Sequence, residues 1–329
     1  MRPDPVTYLF SEAAPAFGVR SIPGLTLLDV EGRELAFRLD GSPVIGGEAG
    51  KWRYAEEEGG LGFECSVERL PDLNVGIYRA TVRNHGAEAR ELSCFQVRMD
   101  FAAEGGDWSL KTCGGGRAVA LYPTPAYEIR RSHFMGDGRH VIRSGADGRS
   151  SNAYLPILML MRWDAGGGRG FWYGLEWSGE WYLGADLKQA ENRFRCEAGV
   201  PVRRLRLAPE EELAFPPLHV GTFVGDETDG SNALRRYLWQ LLQPDYLGER
   251  PYPRVSYDHW FGLGNGVSDS VLWPQVDRAA EIGVETWVHD AGWFGDFPGD
   301  VGDWDAVDSD KYPNGLEPLA NYVREKGMD

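Results

Sequence analysis

Two textures of apolar and polar positions divide this chain. From residue 7 to about residue 218, apolar residues come in short alternating segments broken by Gly, Asp-Gly and Asn-His-Gly. That is the period-two pattern of half-buried strands bounded by turns. It predicts strands at 24–30, 34–39, 155–163, 170–177, 192–197 and 205–207. Segments 73–83 and 91–101 flank the run from Asn84 to Arg90 and read as an antiparallel pair with a longer loop. Turn signals sit at Asp137-Gly138 and Asp147-Gly148. No helix of about ten residues or more is legible in this half, and no internal repeat. Many short strands over some 200 residues predict a large sandwich.

The texture changes after Gly221. Ser231 or Asp229 is placed to cap a helix with Ala233, Leu234, Tyr237, Leu238, Leu241 and Leu242 on one stripe, and Pro244 stops it. This reads as a linker helix. A strand at 254–257 follows, with a terminal loop from Asp258 to Gly262. Next comes a helix at 270–282 with Leu272, Val276, Ala279 and Ala280 inward and Gly283 as its cap. A short β-branched run from Val284 to Val288 reads as a buried strand. An acidic loop at 295–313 leads to a last helix at 316–326, closed by Gly327. Strand, helix, strand, helix predicts a parallel sheet and the start of an α/β barrel. Two βα units, roughly 75 of the ~250 residues such a barrel needs, predict that the chain is a fragment. The expected organisation is 1–218 all-β, 219–251 linker helix and 252–329 partial barrel.

Composition narrows the class of ligand. Lys and Arg total 34 against 50 Asp and Glu, a net charge of −16. That repels nucleic acid and anionic membranes and favours neutral or cationic ligands. No run approaches the roughly 18 apolar residues of a membrane span. No apolar segment follows Met1-Arg2-Pro3-Asp4-Pro5, so no secretory signal is expected and the cytoplasm is the default. Cys65, Cys94, Cys113 and Cys196 lie far apart with no C-x-x-C pair, which predicts buried free thiols. Twelve Trp and fourteen Tyr fit aromatic cross-strand pairs or a sugar-binding surface, or both.

The candidate chemistry gathers where the Val284–Val288 strand ends, in His289-Asp290-Ala291-Gly292-Trp293-Phe294. In a parallel barrel, functional groups collect at the C-terminal strand ends. There Asp290 would accept hydrogen bonds from hydroxyls, and Trp293 would offer a flat apolar face with one N–H donor. Sugars present both surfaces. Asp258 and Trp260 hold the same place on the first strand. Trp304 is a weaker candidate, and His289 reads as a core histidine or a replacement polar contact. The triplets Gly114–Gly116 and Gly166–Gly168 lack the Lys-Ser/Thr of a phosphate loop and read as hairpin turns. Asp296, Asp300, Asp303, Asp305, Asp308 and Asp310 lack the spacing of an EF-hand and read as a solvated loop.

Several segments together resemble the α-galactosidases of glycoside hydrolase family 36. Val288 to Gly295 is similar to the family's Leu-Asp-Asp-Gly-Trp-Phe-Gly segment. Gly302-Asp303-Trp304, Tyr312-Pro313-Asn314-Gly315-Leu316 with Leu319, and Lys326-Gly327-Met328 follow in the family's order. Earlier, Gly148-Arg149-Ser150-Ser151 before Tyr154-Leu155-Pro156, and Trp177-Ser178-Gly179-Glu180-Trp181, resemble its usual segments. The resemblance implies a multidomain protein: an N-terminal all-β supersandwich, a linker helix and the first βα units of a truncated (β/α)8 TIM barrel. It implies a retaining hydrolase of α-linked sugars, galactosides first, without metal or organic cofactor. Family members often form multimers, so it also allows a homo-oligomer. The family pairs two aspartates on galactose hydroxyls 4 and 6; here Asp290 matches one and Ala291 stands in place of the other. The family's nucleophile and acid/base lie on the fourth and sixth barrel strands, neither of which this sequence holds. No catalytic residue is therefore expected within it, and the 329-residue chain alone should be inactive. The rival reading is a non-catalytic carbohydrate-binding or scaffold protein with a remnant barrel.

Overall fold

The computed structural model describes residues 24–329 except 42–43, 47–48, 58, 104–106, 116–128, 134–136, 146–149, 166, 246–247, 249–251 and 303. The segment before residue 24, the Asp147-Gly148 turn, Gly116, Gly166 and Asp303 lie outside the described residues. The chain divides into two units, Met1–Gln243 and Pro244–Asp329. Among the described residues no helix is long and apolar enough to cross a membrane.

The first unit opens with β1 (Gly24–Asp29), β2 (Phe37–Leu39), β3 (Val44–Gly46), β4 (Ala49–Glu56), β5 (Leu61–Leu70), β6 (Val75–Asn84), β7 (Arg90–Ala102) and β8 (Asp107–Gly114). It continues with β9 (Ile129–His133), β10 (Gly138–Arg143), β11 (Tyr154–Asp164), β12 (Gly167–Leu175), β13 (Tyr182–Lys188), β14 (Arg193–Leu207), β15 (Glu212–Ala214) and β16 (Leu218–Val224). Among the described residues they form a five-stranded sheet, β1-β7-β14-β13-β10, and an eleven-stranded one, β2-β4-β5-β6-β16-β12-β11-β8-β9 with β3 on β4 and β15 on β6. Period-two alternation decides which side chains meet. Phe95, Val97, Met99 and Phe101 of β7 and Phe194, Cys196 and Ala198 of β14 share one core with Phe63, Tyr78 and Phe171 of the larger sheet. Phe101 stacks on Phe171 across that core at 4.4 Å. Each such fully buried apolar side chain stabilises the fold by about 1.5–3 kcal/mol before entropy is counted. Cys65, Cys94 and Cys196 are buried free thiols and Cys113 is half-buried; burial raises the Cys65 thiol to about 12.

The pairing expected for 73–83 with 91–101 is not formed. β6 pairs with β5, β15 and β16, whereas β7 pairs with β1 and β14 in the other sheet. Both strands turn an apolar face to the same core, so the chain between them changes layers instead of reversing within one. The fully buried Asn84 fixes this corner: its Nδ2 donates to the Glu88 carbonyl at 2.8 Å and to that of Leu207 at 3.0 Å. Sequence signals at 192–197 and 205–207 prove to be the two ends of one strand, β14, whose register slips between Pro201 and Leu205. Asp164 pairs with Gly167 (φ 102°), so β11 and β12 are antiparallel neighbours up to that point; Gly166 of the second triplet lies outside the described residues. Two segments distant in sequence also meet. Trp181 Nε1 donates to the Ser150 carbonyl at 2.8 Å, and Ser150 Oγ donates to that of Trp177 at 2.8 Å.

Helix α1 (Glu227–Tyr237) is capped by neither Ser231 nor Asp229. Asp226 is the cap; its Oδ1 accepts from the amides of Thr228 at 2.7 Å and Asp229 at 3.1 Å. Asp229 instead returns a bond to the Asp226 amide at 2.8 Å, completing a capping box. Ser231 Oγ donates to the Glu227 carbonyl at 2.7 Å. The helix lies on the outer face of the larger sheet, with Tyr237, Ala233 and Leu234 against Trp172 and Phe223. A π-turn, Leu238–Leu242, follows it.

The second unit has β17 (Ser256–Asp258), α2 (Trp260–Leu263), α3 (Asp269–Glu281), β18 (Thr286–Val288) and α4 (Glu317–Glu325). β17 and β18 are parallel, with Tyr257 opposite Trp287 and Asp258 opposite Val288. The first strand thus starts two residues later than expected, and α2 replaces part of the anticipated loop, with Asp258 Oδ1 accepting from the Trp260 amide at 2.9 Å. Leu272, Val276 and Ala279 of α3 pack with Leu319 and Val323 of α4, Tyr312 and Met328.

Candidate functional site

Parallel pairing sets Asp258 and the segment after Val288 side by side at the same end of the two strands. Asp258 is half-buried and turned toward the Trp260 amide. Asp290 is exposed, and its Oδ1 accepts from the Ala291 amide at 2.7 Å, which leaves Oδ2 uncommitted among the described residues. Trp260 sets its ring edge-on to Phe297 at 5.3 Å. Trp293 packs edge-on to Phe294 at 5.1 Å and 6.3 Å from the exposed Trp304. The four predicted residues therefore fall into two groups. Asp258, Trp260 and Asp290 belong to the strand-end surface. Trp293 lines an apolar cavity of about 340 Å³ together with Trp287, His289, Leu319 and Val323.

Two histidines lie beneath the surface. His259 is fully buried and meets His289 edge-to-face at 5.0 Å. His289 Nε2 is 3.1 Å from the Tyr312 hydroxyl, so the ring is both packed and satisfied on that side. Burial, then the neighbouring His259, lower His289 to about 4 against the opposing pull of Asp290. Burial likewise lowers His259. Both rings are therefore neutral near pH 7 and add no positive charge beside Asp258 and Asp290.

Residues that the sequence did not single out hold the following loop. Asn265 clamps it, donating from Nδ2 to the Phe297 carbonyl and accepting from the Phe297 amide, both at 2.9 Å. Lys311 Nζ donates to the carbonyls of Gly292 at 3.0 Å and Gly295 at 3.3 Å, and lies 3.4 Å from Asp296 and 3.6 Å from Asp308. Gly292 adopts φ 98°, and a Cβ there would come within 3.0 Å of Val267. No local pattern announces Asn265 or Lys311, because each acts on backbone far away in sequence. Much of the acidic loop is engaged with its own backbone: Asp300 accepts from the Asp296 amide at 2.8 Å, and Asp308 from that of Asp310 at 3.0 Å. Among the described residues no group of three or more His, Cys, Asp or Glu is placed to hold a metal ion.

The melibiase family profile matches residues 216–329. The chain is 26% identical over 309 residues to α-galactosidase Mel36A of Lactobacillus acidophilus, covering 88% of this chain and 40% of that protein. It is 49% identical over 339 residues to α-galactosidase AgaA of Geobacillus stearothermophilus, covering 96% of this chain and 44% of that protein. The crystal structure of the family 36 enzyme AgaA superposes with a TM-score of 0.74 over 94% of this chain and 45% of that one, at 21% identity. At that identity the superposition shows a shared fold. These matches make the chain similar to part of known glycoside hydrolases. Within them it is homologous, over most of its length, to part of the α-galactosidases of family 36, and it spans less than half the length of those relatives.

Proposed function

We propose that this chain is the N-terminal portion of a retaining glycoside hydrolase that acts on α-linked sugars, α-galactosides first. The observation that carries the reading is the homology to α-galactosidases over 88–96% of the chain. Crystal structures of AgaA variants contain 1-deoxygalactonojirimycin, raffinose or stachyose, which supports a carbohydrate ligand. In this reading the supersandwich runs through β16 to Val224, six residues past the boundary expected at 218, helix α1 and the turn after it are the linker, and 252–329 are the first two βα units of a (β/α)8 barrel. The reading takes the cytoplasm as the compartment and allows a homo-oligomer. The apolar cavity beside Trp287 and Trp293 is where the next barrel strand seats.

Retention needs two carboxyl groups about 5–5.5 Å apart across the glycosidic bond, one attacking the anomeric carbon and one protonating the leaving oxygen. Later barrel strands supply that pair. Residues of the present chain bind and orient. Asp290 accepts sugar hydroxyls with its free carboxylate oxygen, Asp258 flanks it, and Trp260 covers an apolar sugar face, while Trp293, expected from the sequence to touch sugar, packs instead in the cavity behind them. Neutral His259 and His289 keep the negative charge of Asp290 undiminished. The test is to extend the chain through the codons that follow residue 329 and assay both forms on an aryl α-galactoside. The extended form should release phenol and the 329-residue form none. Turnover by the short form that an Asp change within 295–313 abolishes would overturn this reading.

A further inference from the structure

A second concavity, of about 730 Å³, lies on the face of the five-stranded sheet that points away from the sandwich core. That volume falls within the usual range of small-molecule sites. Outward side chains of β7, β14, β13 and β10 form its floor, and Ser144, Glu180 and Trp181 stand at one side. On a sheet face that only met water, floor residues would be exposed. Here Gln96 keeps 5% of its surface and Glu197 keeps 7%. Glu197 is fixed from two sides, by Arg139 Nη2 at 2.6 Å and Arg98 Nε at 3.6 Å. The Tyr182 ring lies across Gly199, where any Cβ would strike it. Burial raises the Tyr182 phenol, so it keeps its proton.

Three groups in this groove are built without serving the fold. The Gln96 carboxamide has no hydrogen-bond partner among the described residues, yet it is not sealed in protein and lines the groove. Arg143 and Arg203 line it too, and neither has a carboxylate partner among the described residues. Arg203 sits in the register slip of β14 with φ 49°, a left-handed conformation unfavourable for a residue with a side chain. The bulge lifts it out of the strand ladder and sets its guanidinium on the rim. Four arginines against two glutamates make the lining cationic within a chain of net charge −16.

We propose that this groove binds an anionic sugar, a monosaccharide bearing a carboxylate or a phosphate. Arg143 and Arg203 take the anion, as guanidinium forks suit both oxyanions. The Gln96 amide and the Glu197 carboxylate take ring hydroxyls, and Tyr182 offers a flat wall. The site is non-catalytic and stands independently of the barrel-side reading. Isothermal titration of the 329-residue chain with galacturonate, galactose 6-phosphate, galactose and inorganic phosphate tests it. At least one anionic sugar should bind saturably to a single site, and comparing the two shows which oxyanion is preferred. Arg143→Gln or Arg203→Gln should each weaken that binding at least about tenfold with the thermal midpoint unchanged, since both side chains are on the surface. Gln96→Leu should weaken it as well. The proposal fails if neither anionic sugar binds, or if both arginine variants bind like the parent chain. It fails equally if phosphate or galactose alone binds as tightly as the preferred anionic sugar.

Discussion

At the scale of single residues, Asp290 carries the sharpest expectation. Its free carboxylate oxygen at a strand end offers charge-assisted hydrogen bonds worth roughly 1.5–3 kcal/mol each once sugar covers them. In the extended enzyme, Asp290→Ala should lower kcat/KM on an aryl α-galactoside at least about tenfold, roughly 1.4 kcal/mol being one decade. Unchanged kcat/KM on every α-glycoside of a panel would make Asp290 structural. Ala291→Asp asks the converse: it should raise activity on galactosides relative to other α-glycosides if the missing second carboxylate limits galactose recognition. His219 gives a pH prediction in the first unit. It is buried, in contact with the Tyr237 hydroxyl at Nδ1 and 3.2 Å from Glu176 at Nε2. Burial lowers its pKa, with Glu176 opposing and Arg79 adding to the shift. A histidine whose folded pKa lies below its unfolded value of about 6.5 leaves the unfolded state binding more protons, so stability falls as pH drops below about 6.5. The loss of thermal midpoint between pH 7 and pH 5 should be smaller in His219→Gln, measured on residues 1–243; an identical loss would clear His219 of that role. The sequence marked Asp290, Trp293, Asp258 and Trp260 because each sits at a strand end. It could not show that Trp293 turns into the apolar cavity while the other three face the surface, since that depends on how α4 packs.

At the scale of elements, the capping box of α1 is a measurable joint. Asp226→Ala removes the acceptor of two amides and should cost about 1 kcal/mol, lowering the midpoint of the 1–243 unit by roughly 2–4 °C. Ser231→Ala should cost less, although sequence alone nominated Ser231 as a cap. A larger effect at Ser231 than at Asp226 would contradict the assignment. Cap candidates at 226, 229 and 231 are chemically equivalent in sequence; only where the helix meets the sheet decides which comes first. The β6–β7 corner teaches the same lesson. Alternation revealed both strands but not their partners, because an apolar face is satisfied equally by pairing within a sheet or by facing another. Asn84, buried and bonded to Leu207, 123 positions away, makes the choice.

At the scale of the molecule, the two units differ in how much apolar surface they enclose. The first buries one continuous core from two sheets and should unfold cooperatively when residues 1–243 are produced alone. The second has a two-stranded sheet and an open apolar cavity, too little to hold residues 244–329 as an independent fold. Calorimetry on the two pieces decides this, and a sharp transition from 244–329 would overturn it.

The sequence by itself determined the two textures, the parallel strand order of the second unit and the strand-end motif, because each depends on neighbours within a few residues. It also carried the family resemblance, since ordered motifs survive without knowledge of contacts. Tertiary structure alone decided which strands pair, which aspartate caps α1, and that Asn265 and Lys311 hold the site loop. It also decided that Gln96, Arg143 and Arg203 share one groove. The physical reason is common to all of these. A hydrogen bond or ion pair between residues tens of positions apart leaves no local period to read, and exists only once the chain has brought them together.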